Sequence, residues 1–273
     1  MQHMPDLAYD RAGPVGDVPL LLVHAGVADR RMWDGVREQL LERRDVLRVD
    51  LRGFGESADR PRGELAPHQD VLDVLAAESI ERVHVVGASF GAGVAVEIAL
   101  TEPARVASLL LVAPGGSLIS ERTEQLRTFA LAENSALEAG DLTAAVEANL
   151  ATWVDGPGQS PDRVDPALRA LVETMQRRAF ELTADWDDVK EAELDPPAVD
   201  RLSEIDAPTL VLTGTLDVDA IDRAATEVLT GVSGARQVVW PDTAHLPSME
   251  RPDAFVTLVL DWVAEAEANR GGR

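Results

Sequence analysis

The chain of 273 residues contains no cysteine, which excludes a disulfide framework and thiol catalysis. It also contains no apolar run near the roughly 20 residues that a transmembrane helix needs. The segment from Met1 to Pro14 lacks the hydrophobic stretch of a signal peptide. These absences predict a cytoplasmic protein that does not enter a membrane.

Basic residues are scarce beside acidic ones. The chain has 25 Lys and Arg against 48 Asp and Glu, which gives a formal net charge of −23. Such a charge argues against nucleic acid and anionic membranes as partners. The length and the hydrophobic content of 45% are typical of one globular core, with or without an insertion.

The most informative stretch runs from Val83 to Leu100. It begins with a β-branched run, typical of a buried strand, and ends with small and aliphatic residues, typical of a helix packed on a sheet. Between them lies Gly87-x-Ser89-x-Gly91. A strand that turns this sharply into a helix leaves no room for side chains beside the turn residue. The pattern therefore predicts an exposed Ser89 hydroxyl beside free N–H groups, which would make Ser89 a nucleophile.

Strands and helices alternate along most of the chain. Buried strands are predicted at Pro19–His24, Val46–Val49, Val83–Val86, Ser108–Ala113, Pro208–Gly214 and Arg236–Trp240, a short hairpin region at Leu7–Gly16, and helices at Met32–Leu41, His68–Ser79 and Pro252–Ala268. This rhythm indicates an α/β fold with a mostly parallel central sheet and helices on both faces.

The alternation stops between Ser117 and Ala198. Only helix-like segments occur there, at Glu121–Leu137, Leu142–Trp153, Pro166–Leu182 and a shorter one near Trp186. They predict a helical cap inserted over the carboxyl edge of the sheet. The expected organisation is a first core part at 1–116, the cap at 117–198 and a second core part at 199–273.

A serine nucleophile needs a histidine base and an acid that orients it. Four histidines are placed poorly for this role: His3 in a tail, His24 as a structural residue at the end of a strand, His68 at a helix start and His84 inside a strand. His245, in the loop after the last strand, is the predicted base. Asp217, just after the strand that ends at Gly214, is the predicted acid, although Asp219 and Asp222 are near and Asp242 lies too close to His245 in the chain.

The tetrahedral oxyanion needs two N–H donors, and loss of one typically costs about 10²–10³ in rate. One donor is predicted at Phe90, directly after the nucleophile. The other is predicted in the loop after the first core strand, at Gly26 or at Val27.

Five segments in chain order together resemble the α/β-hydrolase superfamily, in its cap-bearing branch of esterases, enol-lactonases and C–C bond hydrolases. They are His24-x-Gly26 through Trp33, Asp50-x-Arg52-Gly53-x-Gly55-x-Ser57, Gly87-x-Ser89-x-Gly91, Pro208 through Asp217, and His245 through Pro252. The chain departs from the family pattern in Ala25 and Ala92, where glycine is common, and Ser89 in place of Asp disfavours epoxide hydrolase and dehalogenase chemistry. By analogy Asp50 and Arg52 form a structural pair.

The resemblance implies a hydrolase without cofactor or metal that cleaves a carboxylic ester or lactone of a small molecule through an acyl-enzyme on Ser89, as a monomer or homodimer. Alternatives on the same residues are C–C bond hydrolysis, perhydrolysis and acyl transfer. A non-catalytic binding protein is a further alternative, which Ala25 keeps open. One or two of the cap residues Phe129, Trp153, Met175, Phe180 and Trp186 are expected to face the pocket.

Overall fold

The computed structural model of the protein describes residues 7–271. Seven strands form one sheet in the order β1-β3-β2-β4-β5-β6-β7. The strands are β1 (Tyr9–Ala12), β2 (Leu20–Val23), β3 (Val46–Val49), β4 (Val83–Ala88), β5 (Val106–Val112), β6 (Thr209–Gly214) and β7 (Arg236–Trp240). Every neighbouring pair is parallel except β1 with β3.

Nine α-helices accompany the strands in the described part of the chain. They are α1 (Asp34–Leu41), α2 (Pro67–Ala77), α3 (Phe90–Thr101), α4 (Glu124–Glu138), α5 (Leu142–Asn149), α6 (Pro166–Thr183), α7 (Asp219–Gly231), α8 (Pro247–Glu250) and α9 (Pro252–Gly271). Short 3₁₀ helices occur at Arg30–Trp33, Pro103–Arg105, Gly116–Leu118, Pro161–Arg163 and Ala198–Glu204, and one π-helical turn spans Leu150–Val154.

Alternate strand residues point to opposite faces of the sheet, and helices cover both faces. Leu20 and Leu22 belong to one hydrophobic cluster with residues of α1 and α9. Leu21 and Val23 belong to a second cluster with residues of α2 and α3. Each fully buried aliphatic side chain contributes about 1.5–3 kcal/mol. A mostly parallel sheet with helices on both faces confirms the predicted α/β fold.

The prediction of a hairpin at the start of the chain is wrong. Only β1 forms there, and it pairs with β3, Tyr9 opposite Val49. It cannot pair with the next strand in sequence because β2 already has β3 on one edge and β4 on the other. The turn residues after Ala12 therefore lead the chain past the end of β3 to β2 and not into a hairpin.

The prediction of a short helix near Trp186 is also wrong. Trp186 and Val189 each close an isolated turn. The indole packs at Gly53, where an added Cβ would lie 3.0 Å from the ring. The chain then extends, and Leu65 exchanges hydrogen bonds with Lys190 and Ala192. Packing on the core and this bridge replace a helix.

Helices α4, α5 and α6 lie between β5 and β6 in the chain, where the insertion is predicted. The helix predicted at Leu142–Trp153 is divided, since α5 ends at Asn149 and the π-helical turn follows. We call residues 117–198 the cap, and its exact limits stay a prediction. No helix within residues 7–271 has the length and apolar character needed to cross a membrane.

Candidate active site

The turn between β4 and α3 is forced by close backbone contacts. Ser89 has φ 51° and ψ −115°, a conformation that costs a non-glycine residue energy. A Cβ on Gly87 would lie 2.3 Å from the Gly91 carbonyl oxygen, and one on Gly91 would lie 2.4 Å from the carbonyl oxygen of Val23. Both positions thus require glycine, and the start of α3 is pressed against the end of β2.

His245 and Asp217 meet through two loops at the same edge of the sheet. The Nδ1 atom of His245 lies 2.8 Å from Asp217 Oδ2, and both side chains are buried. With Nδ1–H donating to the carboxylate, Nε2 is left as the proton acceptor. The Asp217 carboxylate also accepts a 2.7 Å hydrogen bond from the Val218 N–H, which fixes its orientation.

The two loops are held together by their backbones. Leu216 N–H donates to the Thr243 carbonyl over 2.9 Å. A Cβ on Gly214 would lie only 2.1 Å from that same carbonyl oxygen. The close approach sets the spacing at which Asp217 reaches His245.

Ser89 and His245 line one cavity of about 330 Å³, a size suited to a small molecule. Gly26 and Val27 line it as well. The structure therefore brings the predicted nucleophile, base and acid to one place. Within residues 7–271, no cluster of three or more His, Cys, Asp or Glu is arranged to hold a metal ion.

The predicted oxyanion donors lie beside each other. A Cβ on Gly26 would lie 3.4 Å from the Phe90 Cβ. Ala28 N–H closes a turn onto the Ala25 carbonyl over 3.0 Å, and this turn carries both Gly26 and Val27 at the cavity wall. Ala25 is fully buried in the core, so the methyl group in place of glycine is accommodated.

The histidines that are not predicted to act as the base make their contacts away from the reacting atoms. His24 is buried and joins two loops, with Nδ1 2.9 Å from the Ala25 carbonyl oxygen and Nε2 accepting from Leu51 N–H over 2.9 Å. Burial lowers its pKa. His68 bonds Glu97 and His84 bonds Ser108, while His3 lies outside the described residues.

Asp50 and Arg52 shape the loop after β3 through separate partners. Asp50 pairs with the Arg30 guanidinium and accepts from the Glu56 N–H over 2.9 Å. Arg52 pairs with Asp70 over 2.8 Å. Each contact holds backbone in place, and neither residue lines the cavity of Ser89.

The opposite wall of the cavity comes from the cap. It is formed by Phe129, Glu133, Asn149, Trp153, Gln176, Ala179, Phe180 and Thr183. The Trp153 ring centroid lies 4.5 Å from that of His245, and the Phe129 ring meets Trp153 edge-on at 5.1 Å. Three of the five cap residues named from the sequence thus face the cavity. Met175 is buried under Asp29, and Trp186 packs on Gly53.

The polar residues of this wall are not predicted from the sequence. Asn149 Nδ2 donates to Glu133 Oε1 over 2.6 Å, and burial raises the pKa of the Glu133 carboxyl. Gln176 is buried, and its Oε1 has no hydrogen-bond partner among the described residues.

A spacing in the sequence could have indicated them. Three polar residues stand four positions from an aromatic one, in the pairs Phe129 and Glu133, Asn149 and Trp153, and Gln176 and Phe180. Residues four apart share one helix face, so each aromatic residue that the cap contributes to the cavity has a polar neighbour there.

Comparisons with known proteins identify a family and relatives of this chain. The model of the alpha/beta hydrolase family matches residues 20–258. A pimeloyl-[acyl-carrier protein] methyl ester esterase of Nitrosospira multiformis is 28% identical over 264 residues, which is 90% of this chain and 95% of that protein.

Two solved structures share the architecture. A hydrolase from Pseudomonas aeruginosa superposes with a TM-score of 0.72 at 26% identity, covering 94% of each chain. The enol-lactonase from Burkholderia xenovorans superposes with a TM-score of 0.76 at 24% identity, covering 94% of this chain and 96% of its own.

Proposed function

The chain belongs to the alpha/beta hydrolase family and is a hydrolase, and on this premise we propose that it cleaves a carboxylic ester or lactone of a small molecule through an acyl-enzyme on Ser89. The observation that carries the proposal is the 2.8 Å bond from His245 to Asp217 beside the cavity that Ser89 lines. The similarity to a methyl ester esterase supports the proposal that the bond cleaved is an ester.

In the proposed acylation step, Ser89 Oγ attacks the carbonyl carbon and its proton passes to His245 Nε2. Asp217 stabilises the imidazolium that forms and holds its tautomer. The N–H groups of Phe90 and of Gly26 or Val27 would stabilise the oxyanion. The leaving alcohol takes the proton from His245, and the acyl group stays on Ser89.

In the deacylation step, His245 removes a proton from water, which attacks the acyl-enzyme carbonyl. The tetrahedral intermediate collapses, Ser89 Oγ regains the proton, and the acid is released. The Trp153 ring lies 4.5 Å from the His245 ring, centroid to centroid, and shields that side of the imidazole from water.

The proposal is tested by intact-mass spectrometry after treatment with a fluorophosphonate. One adduct is expected on the wild type, none on Ser89→Ala, and one on the control Ser135→Ala, which removes an exposed hydroxyl of α4. Ser89→Ala is also expected to lower kcat toward an activated ester by a factor on the order of 10⁶.

Thermal unfolding of Ser89→Ala should match the wild type, so that loss of activity cannot reflect unfolding. A folded wild type that takes no adduct and cleaves no ester in a panel of acyl-chain lengths would overturn the proposal. A non-catalytic ligand-binding role would then be the better explanation.

A further inference from the structure

Three side chains with a carboxylate or an amide stand on the cap wall of the cavity, one from each cap helix. Glu133 comes from α4, Asn149 from the end of α5 and Gln176 from α6. All three line the same cavity as Ser89 and His245. We call them the cap polar cluster. None is needed for the proposed chemistry at Ser89, so their presence beside three aromatic rings on this wall requires another reason.

The orientation of Asn149 is fixed by its neighbours. Its Nδ2 donates to Glu133 Oε1 over 2.6 Å and to the Ala145 carbonyl over 3.0 Å. An amide nitrogen has two hydrogens, so both are used by these acceptors. The remaining polar atom, Oδ1, is an acceptor, and Asn149 offers the cavity no donor.

Gln176 adds an acceptor without a partner. The residue is only 4% exposed, and its Oε1 has no hydrogen bond to any described residue. A buried acceptor without a hydrogen-bond partner destabilises the folded protein. Rotation of the Gln176 amide toward a ligand that carries a hydrogen-bond donor would give this buried acceptor a partner.

The charge of the wall favours a positive ligand. Among the described residues that line the cavity, none is Arg or Lys, and Glu133 is the only carboxylate. Burial raises the pKa of the Glu133 carboxyl because desolvation disfavours its charged form. A positive charge bound beside it would stabilise the carboxylate. The rings of Phe129, Trp153 and Phe180 line the same space, and aromatic faces attract cations.

We propose that the cap polar cluster binds a primary ammonium group of the substrate, so that the preferred ester or lactone carries an amine remote from its reacting carbonyl. This inference rests on the proposed function. An ammonium group has three N–H donors and a positive charge. Its donors match the Glu133 carboxylate and Asn149 Oδ1, rotation of the Gln176 amide would bring Oε1 to the third donor, and its charge compensates that of Glu133.

Other substituents satisfy the cluster less well. A hydroxyl group has one donor and would leave two acceptors unpaired. A carboxylate would be repelled by Glu133. A methyl group would leave the whole cluster desolvated and unpaired.

The kinetic test uses methyl esters of matched acyl length that end in ammonium, hydroxyl or methyl, assayed on the whole protein. We expect kcat/KM for the ω-amino ester to exceed that for the ω-methyl ester by about tenfold to a hundredfold. Glu133→Gln should bring this ratio close to one. The matched control Glu138→Gln, an exposed carboxylate on the same helix, should leave the ratio unchanged.

A binding test does not depend on catalysis. An n-alkylammonium ion and the n-alkanol of the same length are titrated calorimetrically into Ser89→Ala. The ammonium ion should bind at least tenfold more tightly, and addition of Glu133→Gln should remove the difference. If Glu133→Gln fails to fold, Gln176→Met supplies a second variant of similar shape, which should weaken ammonium binding severalfold.

The outcomes separate the inference from the proposed function. Cleavage of the ω-methyl ester with no preference for the ω-amino ester, together with no binding of the ammonium ion, would overturn the inference alone. A preference for the ω-hydroxy ester would also overturn it, in favour of a neutral donor. Ammonium binding to the cluster in a protein that cleaves no ester would support the inference and overturn the proposed function.

Discussion

The two walls of the cavity are constructed in different ways. The core wall carries Ser89, Asp217 and His245 on turns whose shape is set by backbone atoms in close approach. A Cβ at Gly87, Gly91 or Gly214 would lie 2.1–2.4 Å from a carbonyl oxygen. The cap wall consists of side chains from α4, α5, the π-helical turn and α6, which contact one another through rings and hydrogen bonds.

This difference determines what a substitution can do on each side. On the core wall, one extra methyl group collides with backbone that cannot move without displacing a strand. On the cap wall, a side chain can be exchanged while the helix that carries it stays in place. The core wall should therefore set whether the reaction occurs, and the cap wall should set which substrate is used and how fast.

Apart from loss of the nucleophile itself, the largest effect is expected from Asp217→Asn, directly behind the core wall. The amide would donate to His245 Nδ1 and favour the wrong tautomer, so kcat should fall by about 10⁴. The control is Asp242→Asn, an exposed residue with φ 56° that asparagine adopts readily, and kcat should stay within about twofold of the wild type. Steady-state kinetics with one activated ester measures both. Equal losses in the two variants would mean that Asp217 does not orient the base.

Gly91→Ala tests the backbone contact of the same wall. The new Cβ would lie 2.4 Å from the Val23 carbonyl oxygen, so α3 or β2 must shift. The free energy of unfolding should fall by about 3 kcal/mol, measured by guanidinium denaturation. Gly63→Ala, where an added Cβ meets nothing within 4 Å, should change it by less than about 0.5 kcal/mol. If Gly91→Ala were as stable as Gly63→Ala, the close approach would not be rigid.

The difference between the core wall and the cap wall also explains which features can be predicted from the sequence. The Ser89 turn could be predicted because its glycines are required by geometry that depends on neighbours in the chain. The fold followed from strands with β-branched and leucine runs, such as Ser108–Ala113, which are buried on both faces. These features are local, so a single sequence contains them.

The rest depended on contacts between distant segments. Pairing of Tyr9 with Val49 follows from which edges of the sheet are already occupied, and no local pattern at residues 9–12 contains that information. The sequence around Trp186 predicts a helix, but the indole packs on Gly53, 133 positions earlier in the chain. The partnership of Glu133 with Asn149 joins two helices, and only the repeated spacing of polar and aromatic residues could have suggested it.

In the core and in the cap, burial disfavours the charged form of a titratable group. Within the sheet, desolvation lowers the pKa of His84 from 6.5 to about 4, whereas on the cap desolvation raises the pKa of Glu133. The unfolded chain binds a proton at His84 below pH 6.5 and the folded protein only near pH 4. Stability should therefore decrease as pH falls through this interval.

His84→Gln isolates that contribution. The amide retains a partner for Ser108, which lies 2.8 Å from His84 Nδ1, and it does not titrate. Between about pH 7.5 and about pH 5, the variant should lose about 2 kcal/mol less unfolding free energy than the wild type. Denaturant unfolding at the two pH values measures this difference. An identical loss in both proteins would show that His84 is protonated as easily when folded as when unfolded.

The smallest effect is expected from Trp153→Phe, on the cap wall. The smaller ring would still cover His245 but would lose part of the contact that now has a 4.5 Å centroid separation. Aromatic contacts of this kind are worth about 0.5–1.5 kcal/mol, so kcat should fall by no more than about tenfold. Trp186→Phe, which changes a cap indole outside the cavity, is the control and should leave kcat unaltered. A loss for Trp153→Phe as large as that for Asp217→Asn would mean that the cap positions the base as strictly as the core does, and the division of roles between the two walls would fail.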